Sequence, residues 1–299
     1  MELIKLGEKI MPKPKGLDYK LTTDKTYDLL YDRFSETVYL KENGSLNMPT
    51  KLYESEEDQK FQNTVINAFK TTTKCTTAAL LSGAKGTGKS VTAKVIAIKC
   101  ELPIIIVNKR VPGDALTDFL GKLTSPICLL FDEFEKEFDS EEFLGMLDGV
   151  KNTAKKLVLF TANTTGSLSE YLIDRCSRIR YHRKYTMDMN LAYIKEIATD
   201  KGIAKDKIES LVAFIMNVFV VTSLDNIMSF IDEVLSTNNY NFTEVIKFMN
   251  ITTKSVALTT FPKKEESVEE LTNTEEYDDL LDKYDEEDND DEEQSGPFS

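Results

Sequence analysis

The sequence contains little cysteine and histidine, and neither is arranged as a metal site requires. Its four cysteines form no Cys-x-x-Cys pair, and three of them lie in or beside apolar runs. This pattern argues against zinc binding and against a disulfide framework, and it is typical of a protein in a reducing cytoplasm. His182 is the only histidine and stands in a basic run, so we interpret it as incidental to function.

Long apolar segments are also absent. The first residues lack the apolar core of a signal peptide, and no stretch approaches the roughly 18 apolar residues of a membrane-spanning helix. The most apolar segment, Leu211–Val221, is short and is interrupted by Asn217. We therefore expect a soluble, cytoplasmic protein without a membrane partner. A compact chain of this kind is also compatible with a viral origin, in which case the expected location is the host cytoplasm.

The negative charge of the chain is concentrated near its C-terminal end. The net charge is −14, but residues 265–299 alone contain 17 acidic residues and one lysine, so the remainder is close to neutral. We predict that residues 263–299 form a disordered acidic tail. Its interleaved aromatics and terminal Phe298 favour recruitment of a protein partner, whereas the acidic residues alone are equally compatible with solubility or repulsion of nucleic acid.

One motif points directly to nucleotide chemistry. Residues 83–90 read Gly-Ala-Lys-Gly-Thr-Gly-Lys-Ser, a full match to G-x-x-x-x-G-K-[ST] between an apolar strand-like run and a helix-like segment. In such a loop the backbone amides face phosphate oxygens, the lysine reaches the β and γ phosphates, and the serine hydroxyl binds Mg²⁺. We therefore predict ATP and Mg²⁺ as cofactors. The predicted nucleotide-binding residues are Gly83, Ala84, Lys85, Gly86, Thr87, Gly88, Lys89, Ser90 and Val91.

Two further runs end in polar residues that suit hydrolysis. The apolar run from Ile127 ends in Asp132 and Glu133, and the run from Leu157 ends in Asn163. Because catalytic groups in open α/β folds gather at the carboxyl ends of strands, we expect these three side chains near the phosphate loop. Asp132 is predicted to organise Mg²⁺ together with Ser90, and Glu133 to activate the attacking water. Asn163 is predicted to contact the γ-phosphate or that water.

Strand-like and helix-like runs alternate beyond the phosphate loop. This alternation predicts an α/β domain with a parallel five-stranded sheet covered on both faces, followed by a small helical lid. The further predicted strands are Leu102–Val107, Ile127–Phe131, Leu157–Phe160 and Ile179–Tyr185. The predicted helices of the domain are Asp114–Lys122, Ser140–Val150 and Ser167–Ile173. The predicted lid helices begin near Asp188 and include Ile208–Val218, Ser223–Leu235 and Phe242–Met249. The expected domains are a strand-rich N-terminal extension (1–54), the nucleotide-binding domain (55–186), the lid (187–262) and the tail (263–299).

Together these motifs resemble the AAA+ ATPase family over roughly Ser55 to Leu235. Gly83–Ser90 is similar to its Walker A motif, Leu129–Glu133 to Walker B and Asn163 to sensor 1. Leu147–Val150 and Arg175–Arg178 look like stretches of the classical AAA subgroup. In that subgroup paired arginines reach the nucleotide of the neighbouring subunit, so the resemblance implies that Arg175 and Arg178 act in trans.

The resemblance implies an ATPase that works as a homo-oligomer, with a hexamer as the expected ring, and remodels a protein or protein–nucleic-acid assembly. A replication-associated ATPase of the clamp-loader or helicase-loader kind and a nucleotide-switched scaffold without turnover are the alternatives. The chain departs from the family at two places. No arginine stands at Ser223–Asn226, where the lid's sensor-2 residue would fall, and the loop Asn108–Gly113 lacks the aromatic residue of peptide-threading members. Lys109 and Arg110 in that loop leave nucleic acid open as a partner.

Overall fold

The computed structural model describes residues 3–12, 19–138, 143–148, 154–166 and 168–254. The predicted acidic tail lies outside the described residues, as do both ends of the predicted helix Ser140–Val150, Gly149 and Val150 among them. No helix in the described part of the chain is long and apolar enough to cross a membrane.

A single mixed sheet of nine strands organises the described chain. In chain order the strands are β1 (Leu3–Leu6), β2 (Lys9–Pro12), β3 (Thr26–Asp32), β4 (Thr37–Asn43), β5 (Thr76–Gly83), β6 (Ile104–Val107), β7 (Ile127–Phe131), β8 (Lys156–Ala162) and β9 (Tyr181–Tyr185). Their order across the sheet is β1-β2-β4-β3-β6-β7-β8-β5-β9. Five neighbours, β6 to β9 in this order, are all parallel, which confirms the predicted five-stranded core.

The N-terminal strands extend that core instead of forming a separate sheet. β3 pairs in parallel with β6, and β4, β2 and β1 continue the sheet in antiparallel pairs. Alternation explains why these segments are strands: Tyr27 and Leu29 of β3 and Val38 and Leu40 of β4 are buried, while Asp28 and Tyr39 between them are more exposed. The central strands β7 and β8 are buried along their whole length, as expected where helices cover both faces.

The helices cover the sheet and then form the lid. They are α1 (Glu56–Thr71), α2 (Lys89–Lys99), α3 (Gly113–Gly121), α4 (Phe134–Glu137), α5 (Leu144–Asp148), α6 (Glu170–Ile173), α7 (Asp188–Leu191), α8 (Ile194–Lys201), α9 (Lys205–Val218), α10 (Leu224–Thr237) and α11 (Phe242–Ile246). A capping box opens α1, because the Ser55 hydroxyl accepts from the Asp58 amide and the Asp58 carboxylate accepts from the Ser55 amide. The lid helices α8 to α11 enclose their own core, where Phe214 stacks on Phe230 with ring centroids 5.5 Å apart.

Candidate functional site

The phosphate loop lies between β5 and α2, where the chain needs glycine for two different reasons. Gly86 and Gly88 have φ angles of 74° and 90°, in the left-handed region that glycine adopts without a steric cost. Gly83 lies so close to β9 that a Cβ on it would stand 1.9 Å from the carbonyl oxygen of Tyr185. The loop therefore owes its shape both to backbone freedom and to the close approach of a neighbouring strand.

Lys89 is buried at the start of α2 and folds back over the loop. Its Nζ donates to the carbonyl oxygens of Gly83 at 2.5 Å and Ala84 at 2.7 Å, and to Oδ1 of Asn163 at 3.2 Å. Burial lowers the pKa of Lys89, while the negative charges of nearby carboxylates, Glu135 first among them, oppose that effect. An ammonium held by carbonyl oxygens in this way can exchange them for phosphate oxygens without leaving the loop.

The remaining predicted loop residues surround this lysine. Thr87 is buried and its hydroxyl donates to the Ala84 carbonyl oxygen at 2.8 Å, which braces the turn. Lys85 is exposed at the loop's tip, and Val91 is half-buried in the first turn of α2. All the predicted nucleotide-binding residues therefore belong to one continuous loop and helix start.

Ser90 and Asp132 meet across the sheet edge. The Ser90 hydroxyl donates to Oδ1 of Asp132 at 2.6 Å, and the hydroxyl of Thr161 donates to the same oxygen at 2.6 Å. Hydroxyl and carboxylate oxygens are ligands that suit Mg²⁺, which typically takes few protein ligands beside phosphates and water. Among the described residues, no group of three or more His, Cys, Asp or Glu side chains could hold a metal by itself. The donor set therefore fits Mg²⁺ bound together with a nucleotide.

Glu133 follows at the point where β7 turns into α4. Its φ of 50° is left-handed, a conformation that a non-glycine residue adopts only when its surroundings hold it there. The Glu133 amide donates to the Thr161 hydroxyl at 3.0 Å, and its carboxylate accepts from Lys136 Nζ at 2.6 Å and from Asn163 Nδ2 at 3.1 Å. The hydrogen bond from Lys136, followed by that from Asn163, lowers the pKa of Glu133.

Asn163 lies between the phosphate loop and Glu133 because β8 separates β5 from β7 in the sheet. Its amide connects the two sides, since Oδ1 accepts from Lys89 while Nδ2 donates to Glu133. The structure thus brings Lys89, Ser90, Asp132, Glu133 and Asn163 into one site. Sequence reasoning missed two residues of this site, Thr161 and Glu135, although both stand within two residues of a predicted site residue.

The two candidate arginines occupy different environments. Arg178 is only 8% exposed, and its guanidinium donates to both carboxylate oxygens of Asp148 at 2.9 Å and to the carbonyl oxygen of Tyr171 at 2.8 Å. Arg175, at the start of the same turn, is exposed. The turn connects them, because the Arg178 amide donates to the Arg175 carbonyl oxygen at 2.8 Å. Action of either arginine in trans stays a prediction, but here Arg178 faces its own subunit.

This difference predicts different effects on stability. Arg178→Ala removes a bidentate pair and leaves Asp148 without it, so we expect the free energy of unfolding to fall by about 1–3 kcal/mol. The lower part of that range is expected because the Asp148 side chain is 40% exposed and therefore screened by water. Arg175→Ala, the matched control, should change stability by less than about 0.5 kcal/mol. Urea unfolding followed by circular dichroism measures both, and equal losses would contradict this assignment.

The lid meets the phosphate loop where the sensor-2 arginine is missing. The Leu224 amide donates to the Gly86 carbonyl oxygen at 2.9 Å, and a Cβ on Gly86 would lie 2.5 Å from the Cβ of Ser223. Behind this contact, the Asn190 amide donates to the Thr222 carbonyl oxygen at 2.8 Å. The first turn of α10 therefore contacts the loop through backbone atoms, although it has no arginine to offer the nucleotide.

Two other sequence features lie apart from this site. Lys109 and Arg110 are exposed in the connection between β6 and α3. His182, on β9, shares a hydrogen bond of 2.7 Å with the Ser82 hydroxyl, and its pKa is lowered by burial and then by Lys184. Its contact is with the neighbouring strand β5.

A strand, a glycine-rich loop and a helix, with an acidic pair at the end of a nearby strand, define a P-loop nucleotide-binding domain. Residues 79–184 match the sequence profile of the family described as ATPase family associated with various cellular activities (AAA). This match confirms the resemblance for residues 79–184, which form an AAA ATPase domain. No sequence among curated proteins matches the chain.

Solved structures support the same fold. RuvB of Thermotoga maritima, titled a Holliday junction branch migration motor, superposes with a TM-score of 0.50 and 19% identity, covering 68% of this chain and 72% of that one. A variant of that protein gives a TM-score of 0.51 and 17% identity over 68% of this chain and 74% of that one. At such identity the likeness concerns the fold alone.

Proposed function

We propose that this protein binds ATP with Mg²⁺ and hydrolyses it at the subunit interfaces of a ring-like oligomer, and that it uses this cycle to remodel a protein or protein–nucleic-acid assembly. The observation that carries the proposal is the position of Asn163, whose amide joins Lys89 to Glu133. A phosphate-binding lysine and a carboxylate suited to activating water thus share one site. The match to the AAA family supports hydrolysis as its chemistry.

Each residue has a distinct task in this proposal. The loop amides and Lys89 hold the phosphates, and Lys89 exchanges the carbonyl oxygens of Gly83 and Ala84 for phosphate oxygens. Ser90 and Asp132 would hold Mg²⁺, which would supply positive charge to the phosphates. Glu133 accepts the proton of the attacking water, and Asn163 orients that water against the γ-phosphate.

A neighbouring subunit completes the site. We assign Arg175 as the group that reaches across the interface, because it is exposed while Arg178 is held by Asp148. Arg178 then fixes the turn from which Arg175 projects. A guanidinium supplied in trans stabilises charge on the transferring phosphoryl group and makes hydrolysis depend on assembly. The resemblance to AAA+ proteins favours a hexamer.

A second candidate is a motor that acts on DNA. It is favoured by the fold shared with RuvB, which is described as a branch migration motor. A protein substrate, recruited by the acidic residues after 264, remains our first choice because the rest of the chain is close to neutral. Stimulation of hydrolysis by single-stranded or junction DNA, measured at several salt concentrations, would favour the DNA motor instead.

Hydrolysis should depend both on Mg²⁺ and on protein concentration. We expect EDTA to abolish phosphate release and added Mg²⁺ to restore it, because Ser90 and Asp132 lack the ligands to hold a metal without nucleotide. The rate per subunit should rise with protein concentration and level off as the oligomer forms, since each site needs a neighbour. Phosphate release and sedimentation measured on the same samples test both points.

Two outcomes would redirect the proposal. ATP binding without any phosphate release, at concentrations where oligomers are present, would favour the nucleotide-switched scaffold. A rate per subunit that stays constant while the oligomer dissociates would remove the interface from the mechanism.

A further inference from the structure

Glu135 is a third carboxylate at the site, beyond the acidic pair that ends β7. It lies in α4, one residue after the buried Phe134. The left-handed turn at Glu133 starts this short helix, and Glu135 contacts the end of the neighbouring strand β8. Glu135 therefore reaches Asn163 from a direction different from that of Glu133.

The contact between Glu135 and Asn163 involves two hydrogen bonds to one oxygen. Oε1 of Glu135 accepts from the Asn163 backbone amide at 2.8 Å and from its side-chain Nδ2 at 2.8 Å. One carboxylate thus holds both the backbone and the side chain of Asn163. The corresponding distance from Nδ2 to Glu133 is longer, 3.1 Å.

The chemistry of these neighbours fixes which way the Asn163 amide faces. An ammonium only donates and an ionised carboxylate only accepts, so Oδ1 must face Lys89 and Nδ2 must face the two glutamates. If Glu135 is removed, Nδ2 keeps one partner at 3.1 Å and the Asn163 backbone amide loses its acceptor. The orientation would then rest on Lys89 and Glu133, the two groups that must move or react during hydrolysis.

The second oxygen of Glu135 is buried as well. Oε2 receives no hydrogen bond from any described residue, which is costly for a carboxylate. The nearby Lys89 ammonium offsets part of this cost. Burial lowers the pKa of Lys89, and among the carboxylates the charge of Glu135 opposes that lowering most strongly. Glu135 is thus a half-buried carboxylate that is bound to Asn163 and lies near Lys89.

We propose that Glu135 is a positioning residue for hydrolysis: it holds the Asn163 amide with Oδ1 toward the phosphate side and Nδ2 toward Glu133 while Lys89 changes partners. This inference rests on the proposed ATPase function. It assigns to Glu135 no contact with the nucleotide and no proton transfer. Its role is to keep Asn163 ready when the phosphates draw Lys89 away from it.

The kinetic test combines Glu135→Ala with Asn163→Ala. Glu135→Ala removes the oxygen that accepts both hydrogen bonds from Asn163, so kcat should fall about 10–100-fold, the loss typical of residues that orient a functional group. KM for ATP should change less than about threefold, because no nucleotide contact is removed. In the double variant the second substitution should add nothing to the loss caused by Asn163→Ala. Glu56→Ala, an exposed change on α1, is the matched control.

A second measurement is independent of hydrolysis. Amide hydrogen exchange by NMR should show the Asn163 backbone amide exchanging at least about tenfold faster in Glu135→Ala than in the parent, because its acceptor is lost, while the Ala162 amide in β8 is unchanged. Absence of hydrolysis in the parent protein would contradict the proposed function, and the exchange rate would still test the contact. Unchanged exchange or unchanged kcat in Glu135→Ala, or losses that multiply in the double variant, would each overturn the positioning role.

Discussion

Glu133→Gln is expected to slow ATP hydrolysis by about 10²–10⁴-fold, the range typical of removing a general base. The amide keeps the size of the side chain, but it has one accepting oxygen, so it can keep only one of the hydrogen bonds from Lys136 and Asn163, which go to different carboxylate oxygens at 2.6 and 3.1 Å. It cannot take a proton from water. ATP should therefore remain bound, and the oligomer should become more stable because the nucleotide persists at each interface.

Three measurements on the same preparation separate this expectation from a loss of folding. Phosphate release should fall, binding of a fluorescent ATP analogue should stay within about threefold of the parent value, and sedimentation in ATP should show more oligomer. The exposed Glu56→Gln variant controls for the change of one charge. Normal turnover in Glu133→Gln would remove Glu133 from its proposed role and direct attention to another carboxylate at the site.

The core of this site could be predicted because its residues follow directly from local patterns. The phosphate loop is a continuous motif, and Asp132 and Glu133 end a run of five apolar residues, Ile127–Phe131, that is buried throughout. Parallel strands place their carboxyl ends at one edge, so adjacency in space follows from the fold class. The same reasoning predicts Asn163 at this edge, and in the structure its amide contacts both Lys89 and Glu133.

The residues that were missed depend on backbone geometry that sequence does not display. Glu135 contacts Asn163 from a short helix that follows Glu133, whose φ of 50° is left-handed, and the sequence Asp-Glu-Phe-Glu gives no sign of that turn. Thr161 looks like an ordinary strand residue until its hydroxyl is seen to join Asp132 and Glu133. The sequence alone does not distinguish Arg175 from Arg178. In the structure only Arg178 is buried against Asp148, which lies thirty residues upstream.

The extended sheet was beyond sequence reasoning for a related reason. Alternation shows that Thr26–Asp32 suits a strand, but it does not say which strand lies beside it. The partner, Ile104–Val107, is more than seventy residues away, and their parallel register involves three residue pairs. The contact of the lid with Gly86 is similar, because it uses the backbone of Leu224 where the family pattern suggests an arginine side chain.

Arg175→Ala should have the largest effect of all on turnover, a fall in kcat of about 10³–10⁵-fold, the range for loss of an arginine that stabilises the transferring phosphoryl group. Binding of ATP should change little, because this arginine belongs to the neighbour's site rather than its own. Stability should also change little, since Arg175 is exposed. Arg178→Ala should lower stability as well as activity, because it removes the ion pair with Asp148 that holds the turn in place.

Mixing subunits tests whether Arg175 acts across an interface. Neither Arg175→Ala nor Glu133→Gln subunits can hydrolyse alone, but an interface that takes Glu133 from the first and Arg175 from the second is complete. In a random equal mixture of a cyclic oligomer, roughly a quarter of the interfaces have this composition, so activity should recover toward that fraction of the parent rate. Mixed oligomers that remain inactive would mean that Arg175 does not act in trans. Activity of Arg175→Ala alone would mean that a single subunit supplies every group the reaction needs.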